Sequence, residues 1–179
     1  MQSQKLVPTW KFPLQKNEHV LTVNQAAGVR NAATVGISLS DRSVLYKYLY
    51  PNWASVATFD LETHALTVYV IDIVTGIVLH TQKHESSEKI DPESIQVTVE
   101  TNWIVYSYFA YAPRPEQRIV SIDLFEGSDR SNDQSGLSVL GGYNLTIGWV
   151  STKSFILPER IVRLSHTATK HGITTSALI

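Results

Sequence analysis

His80 and His84, four residues apart, are the first place to look for chemistry in this chain of 179 residues. On a helix that spacing would turn both imidazoles toward one metal ion. They follow a run of strand-forming residues, however, and in an extended chain positions i and i+4 share a face but stand roughly 13 Å apart. No third ligand accompanies them, so both read as solvated loop histidines, as do His166 and His171. Cysteine is absent, which excludes a thiol nucleophile, a disulfide framework and a thiolate zinc site. Asp72 and Asp123 each stand four residues before a glycine, at Gly76 and Gly127. One carboxylate per turn falls far short of the roughly six to eight oxygens that calcium takes. There is no G-x-S-x-G elbow, P-loop or G-x-G-x-x-G, and no helix follows Gly141-Gly142 to make a phosphate cradle. The expectation is therefore no catalytic residue, no metal site and no cofactor. Asn144-Leu145-Thr146 is an intact sequon, a candidate N-glycosylation acceptor on a loop if the chain is lumenal.

Composition bounds the rest. Hydrophobic residues make up 43% and charged residues 17%, the balance of a globular chain rather than a disordered one. With 15 basic against 16 acidic side chains, nothing matches a phosphate backbone, and no nucleic-acid partner is expected. The opening run Met1 to Pro8 has no apolar core and is not read as a signal peptide. Residues 65–79, the most apolar stretch, are interrupted by Asp72 and Gly76 and are too short to cross a bilayer. Any membrane anchor is expected outside this sequence.

The elements that must position these residues read as strands, and the fold class is all-β. Leu66, Val68 and Val70 alternate with Thr67, Tyr69 and Ile71, so both faces of an extended segment are largely apolar. Periodicity does not separate such a segment from a buried helix; its β-branched and aromatic composition favours the strand. A strand covered on both faces suits stacked sheets. Val74-Thr75-Gly76 supplies a turn, and residues 77–79 begin a return strand. Further strands are expected over 44–49, 54–59, 95–99, 103–109, 118–124, 161–166 and 173–179, with polar loops, including room for a short helical turn, over 85–93 and 126–142.

Two markers recur in the same order. Asn52-Trp53 returns as Asn102-Trp103, 50 residues on, and Ile71-Asp72 with Gly76 returns as Ile122-Asp123 with Gly127, 51 residues on. A β-rich repeat of roughly 40–50 residues is the size of one propeller blade, a four-stranded sheet packed on its neighbours. By that period the chain holds about three to four blades. No third marker occurs near Thr152, so residues 1–179 are expected to be one fragment of a propeller and not a closed ring. In each repeat the aspartate is expected to accept bonds from turn amides, with Thr75 in the first turn and Gly76 or Gly127 supplying the backbone freedom to close it. Trp53 and Trp103 each lead a strand and are expected to fill seams between blades.

Asp41-Arg42-Ser43-Val44-Leu45-Tyr46-Lys47 with Leu49 and Pro51-Asn52 is the most specific block of a wider likeness. Ile71-Asp72 with Val74-Thr75-Gly76, Asn102-Trp103-Ile104-Val105-Tyr106 and Phe125-Glu126-Gly127 continue it. Pro8-Thr9-Trp10, Ser154-Phe155-Ile156 and Gly172-Ile173-Thr174 carry it to both ends. With these blocks the chain resembles the ER membrane protein complex subunit 1 family, in the C-terminal part of its lumenal propeller region. The resemblance implies a partial β-propeller with quinoprotein-like or WD40-like blades of antiparallel strands. It implies a non-catalytic lumenal scaffold on the endoplasmic reticulum membrane, in a complex that inserts tail-anchored and multipass proteins and helps them fold. The implied partners are the other subunits and membrane-protein clients, with membrane association only through segments missing from this sequence. Residues 128–150 form a divergent loop, departing from the family pattern most clearly over 128–142, and the family offers no catalytic residues to carry over. The rival reading is a ligand-binding propeller or quinoprotein-like dehydrogenase, which shares the Asp-x-x-Thr-Gly turn but would favour an adjacent-cysteine disulfide. A third is a cytosolic propeller that docks peptides.

Overall fold

The structure is a computed structural model that describes residues 8–25, 34–127, 147–167 and 177–179. Among the described residues the strands are β1 (Glu18–Gln25), β2 (Gly36–Ser38), β3 (Val44–Tyr46), β4 (Trp53–Asp60), β5 (Leu66–Asp72), β6 (Val78–His84), β7 (Ile90–Glu100), β8 (Trp103–Ala110), β9 (Glu116–Glu126) and β10 (Ile147–Leu157). A 3-10 turn, Ser86–Glu88, joins β6 to β7, inside the loop expected over 85–93. All pairing between strands is antiparallel. One four-stranded sheet has the order β1-β4-β5-β6, a second runs β7-β8-β9-β10, and β2-β3 form a small hairpin between β1 and β4.

The repeat is written into the strand register. Trp53 pairs across from Asp72, and Trp103 across from Asp123, in the second and third strands of their sheets. The two sheets are thus equivalent units, each built around the same pair of markers. The described residues form two such units. The β2-β3 insertion lengthens the first unit.

Several strand boundaries differ from the expectation. The strand expected over 44–49 stops at Tyr46, because its partner Gly36–Ser38 is only three residues long. Residues 161–166 form no strand; His166 makes an isolated bridge to Leu178, flanked by mutual backbone bonds between Ser165 and Ile179. The divergent loop assigned to 128–150 ends earlier, since residues 147–150 belong to β10; residues 128–146 lie outside the described residues. β1 and β10 were not foreseen. Both are edge strands half open to solvent, so their polar interruptions hide the alternation that marks a buried strand.

The core sits between the sheets. Leu66, Val68 and Val70 of β5 stand beside Phe59 and Ala57 of β4. Against them pack Ile104, Tyr106, Tyr108 and Ala110 of β8 and Val120, Ile122 and Leu124 of β9. Trp53 fills this seam and is 0% exposed. β4 is buried on both sides because the N-terminal arm lies on its other face: Trp10 and Phe12 pack on Ala54, Val56 and Ile71, and the Trp10 indole donates to the Ile73 carbonyl at 2.9 Å. The outer face of the second sheet is crossed by the C-terminal segment, held by Gln96 to the Val162 carbonyl (3.0 Å), by Ile161 N–H to Gln117 (3.3 Å), and by Arg160 over the Phe109 ring (4.7 Å). Trp103, the repeat partner of Trp53, points to this outer face. It meets the His166 ring edge-on at 5.9 Å and is only half-buried. The same residue therefore fills a sheet-to-sheet seam in the first unit and meets a single chain segment in the second.

Candidate functional site

The densest polar cluster spans the seam at the end of β6. Register sets His84 across from Leu66, which places it on the face that packs against the second sheet. There its Nε2 lies 2.6 Å from the Tyr106 hydroxyl and its Nδ1 3.1 Å from the Tyr108 hydroxyl. Tyr108 donates to Glu88 Oε2 at 2.8 Å, and Glu88 Oε1 meets Arg118 at 2.9 Å. Arg118 is also held by Glu116, at 2.6 and 2.8 Å. A tyrosine has one hydroxyl hydrogen, and Tyr108 gives its own to Glu88. It therefore accepts from His84 Nδ1–H, leaving Nε2 to accept from Tyr106. Every donor in the chain Tyr106, His84, Tyr108, Glu88 has one direction.

Electrostatics follow the burial. Desolvation lowers the His84 pKa, with Glu88 opposing and Arg118 adding to the effect. The Tyr106 and Tyr108 hydroxyls are pushed far above their ordinary range, chiefly by burial, so neither ionises near neutrality. His80, on the same face of β6 across from Val70, is also lowered by burial, and its Nε2 is buried with no partner. These positions correct the expectation of solvated loop histidines. The strand runs on to His84 because its backbone pairs with β5 as far as Leu66, and the seam shields both rings. His166 is likewise engaged, with Nδ1 2.6 Å from the Thr98 hydroxyl and Nε2 2.9 Å from Glu100; His171 lies outside the described residues. Among the described residues, no group of three His, Cys, Asp or Glu side chains could hold a metal ion. No helix among them is long and apolar enough to cross a membrane.

The two repeat aspartates diverge. Asp72 Oδ1 accepts from Val74 N–H at 2.8 Å and Thr75 N–H at 3.3 Å, and the Thr75 hydroxyl accepts from Ile77 N–H at 3.3 Å. Gly76 has φ of 76° and closes the turn by donating to the Asp72 carbonyl at 2.7 Å. Asp123 does not end its strand: β9 continues to Glu126, and the carboxyl is half-buried inside the sheet. Burial raises its pKa, opposed by Lys153 and Lys47. Gly127 directly follows β9 and lies against Gly148, where an added methyl would overlap the Gly127 Cα; how the chain turns beyond it lies outside the described residues, as does Asn144. Asp72→Ala is expected to lower stability by about 1 kcal/mol, since it strips two turn amides of their acceptor. Matched urea titrations should show Asp72→Asn retaining most of that stability.

Two features had little sequence signal. Glu18 is buried at the start of β1, where it accepts from the Thr58 hydroxyl, from Tyr69 at 2.9 Å and from Gln15 N–H at 3.1 Å. Burial and the bond to Glu18 push the Tyr69 pKa up to about 12. This carboxylate borders a recess of about 190 Å³ with Asp60, Thr67, Thr81 and Lys83 among its lining. The other feature is apolar: Trp149, Phe155 and Ile156 on the edge strand β10 are 52%, 53% and 61% exposed. The Tyr106 and Tyr108 pair could have been read as two residues on one strand face; its partner His84 could not, because they meet only across the seam.

The family model described as ER membrane protein complex subunit 1, second beta-propeller, matches residues 1–179. The chain is 36% identical over 176 residues to the ER membrane protein complex subunit 1 of Saccharomyces cerevisiae, an alignment covering 96% of this chain and 23% of that protein. It is 32% identical over 166 residues to the protein of that name in Schizosaccharomyces pombe, covering 93% and 18%. With the Xenopus laevis protein the identity is 30% over 177 residues, covering 95% and 17%. The chain spans less than a quarter of the length of each of these relatives.

Proposed function

The chain belongs to the ER membrane protein complex subunit 1 family, in its second β-propeller, and from that premise we propose that it is a non-catalytic scaffold segment on the lumenal side of the endoplasmic reticulum membrane. Its two sheets are consecutive blades of a larger ring. Its partners are the other subunits of the complex, and through them the membrane-protein clients, tail-anchored and multipass, that the complex inserts and helps to fold. Membrane attachment comes from other parts of the protein.

One observation carries the scaffold reading: the densest polar clusters are tied up in bonds within the fold. His84 is held by two tyrosines, Asp72 by turn amides and Glu18 by Thr58 and Tyr69. Beside these, Trp149, Phe155 and Ile156 of the outer strand leave large apolar side chains open. That distribution suits a protein that is held by neighbours rather than one that turns over a substrate.

The full-length protein, extracted in detergent, is expected to co-purify with several integral membrane proteins. Recovery as a soluble cytosolic monomer would overturn the scaffold reading. Protease treatment of intact microsomes tests the side: residues 1–179 should be protected until the membrane is permeabilised. In the same preparation an endoglycosidase is expected to increase the gel mobility of the protein, and Asn144→Gln to abolish the part of that shift that belongs to this sequon.

A further inference from the structure

We propose that the cluster of His84, Tyr106, Tyr108 and Glu88 is an acid-opened latch across the seam between the two sheets. It joins β6, the outer strand of the first sheet, and the turn that follows it to the second strand of the next sheet. It is the one place among the described side-chain hydrogen bonds where a histidine on one sheet uses both ring nitrogens on the other.

The direction of the bonds makes the latch sensitive to a proton. With His84 neutral, Nε2 accepts from Tyr106 and Nδ1–H donates to Tyr108. A proton added at Nε2 turns that acceptor into a donor. The Tyr106 hydroxyl must then rotate its hydrogen away, inside a side chain that is 0% exposed, and a buried donor without an acceptor is costly. The new positive charge faces Arg118 of β9 as well as Glu88 of the 3-10 turn. Glu88 is already shared between Arg118 and Tyr108, and Glu116 is engaged by Arg118. From β8 the facing titratable groups are Tyr106 and Tyr108, which stay neutral, and β5 presents apolar Leu66. His80 is the remaining titratable group on this face of β6.

The sign follows. Burial holds His84 below its ordinary pKa of 6.5, so the unfolded or opened state binds the proton more readily than the closed seam. The contribution of the latch is complete above pH 6.5 and is lost as pH falls below it. The seam is therefore closed at neutral pH and loosened in acid.

Hydrogen–deuterium exchange of the 179-residue chain at pH 7.5 and 5.5, corrected for the intrinsic pH dependence of exchange, reads this directly. Peptides from β6 and β8 are expected to lose protection severalfold at the lower pH, with a ceiling of about tenfold because pH 5.5 lies one unit below the ordinary histidine value of 6.5. His84→Phe should shrink that loss by more than His80→Phe does, since burial also holds His80 below its ordinary value but its Nε2 has no partner. Equal protection at both pH values, or a loss that His84→Phe shrinks no more than His80→Phe does, overturns the proposal. If His84→Phe does not fold, long-range 1H–15N NMR of the unaltered protein decides. The expected result is an Nδ1–H tautomer at pH 7 and a titration midpoint below 6.5; an Nε2–H tautomer, or a midpoint at or above 6.5, overturns it.

Discussion

Trp53→Ala is expected to lower the unfolding free energy by about 3–5 kcal/mol, the range for removing a large aromatic from a closed core. Trp53 sits in the seam between the sheets with no exposed surface, in the buried cluster that joins residues of β4, β5, β8 and β9. These neighbours are on strands held by backbone pairing on each side, so they have little freedom to collapse into the space left behind. Trp103→Ala provides an internal comparison. It occupies the same register position in the second sheet but is half-buried against the C-terminal segment. Its loss should cost about 1–2 kcal/mol, in proportion to the smaller area it buries. Urea unfolding of the two variants side by side checks the difference. Equal costs would mean that the two sheets do not pack through the Trp53 face. Trp53→Phe should be milder than Trp53→Ala, because the ring remains and the indole N–H, which has no partner in the seam, is removed with the rest.

Gly76→Ala is expected to cost about 2–3 kcal/mol for a change of one methyl group. Two causes act together. The backbone at this position has φ of 76°, which a Cβ disfavours, and that Cβ would come within 2.7–2.8 Å of ring atoms of Trp10. Trp10 cannot easily withdraw, since its indole is tied to the Ile73 carbonyl and its ring covers Ala54 and Ile71. A double-mutant cycle separates the causes. In a Trp10→Ala background the overlap is gone and only the backbone term remains, so Gly76→Ala should then cost about 1 kcal/mol. Full additivity of the two substitutions, measured by chemical denaturation, would show that the arm does not lie on this turn. The positive φ suffices to make Gly76 a turn residue; the contact with Trp10 makes the turn a seat for the N-terminal arm as well.

These two residues also show what could be read before the fold was known. The repeat of Asn52-Trp53 and Asp72 was legible because residues at equivalent register positions must satisfy the same strand pairing, and the structure sets both tryptophans across from both aspartates. The central strands were legible for a related reason: a strand buried on both faces has few permitted residue types, and Leu66 to Ile71 displays them without interruption. Strand β10 was not legible. As an edge strand it pairs on one side only and tolerates Gly148, Ser151, Thr152, Lys153 and Ser154 among its apolar residues. Asp123 was misread as a turn residue because its local sequence repeats that of Asp72, while the length of β9 is set by its neighbours β8 and β10.

For this protein the amino-acid sequence by itself determined an all-β class, the recurrence of a β-rich unit, the turn at Asp72 to Gly76 and the family to which the chain belongs. Those properties reside in local pattern: alternation, turn chemistry and the recurrence of residues that meet identical backbone constraints. Tertiary structure alone decided which side of each sheet faces the other, and with it the fates of Trp53 and Trp103. It also decided that His84, which reads as a solvated residue, lies between two tyrosines whose strand begins nearly twenty residues further along the chain. No periodicity encodes such a meeting. It arises because hydrophobic burial brings two sheets together without regard to sequence separation, and the polar groups carried into the seam must then find one another.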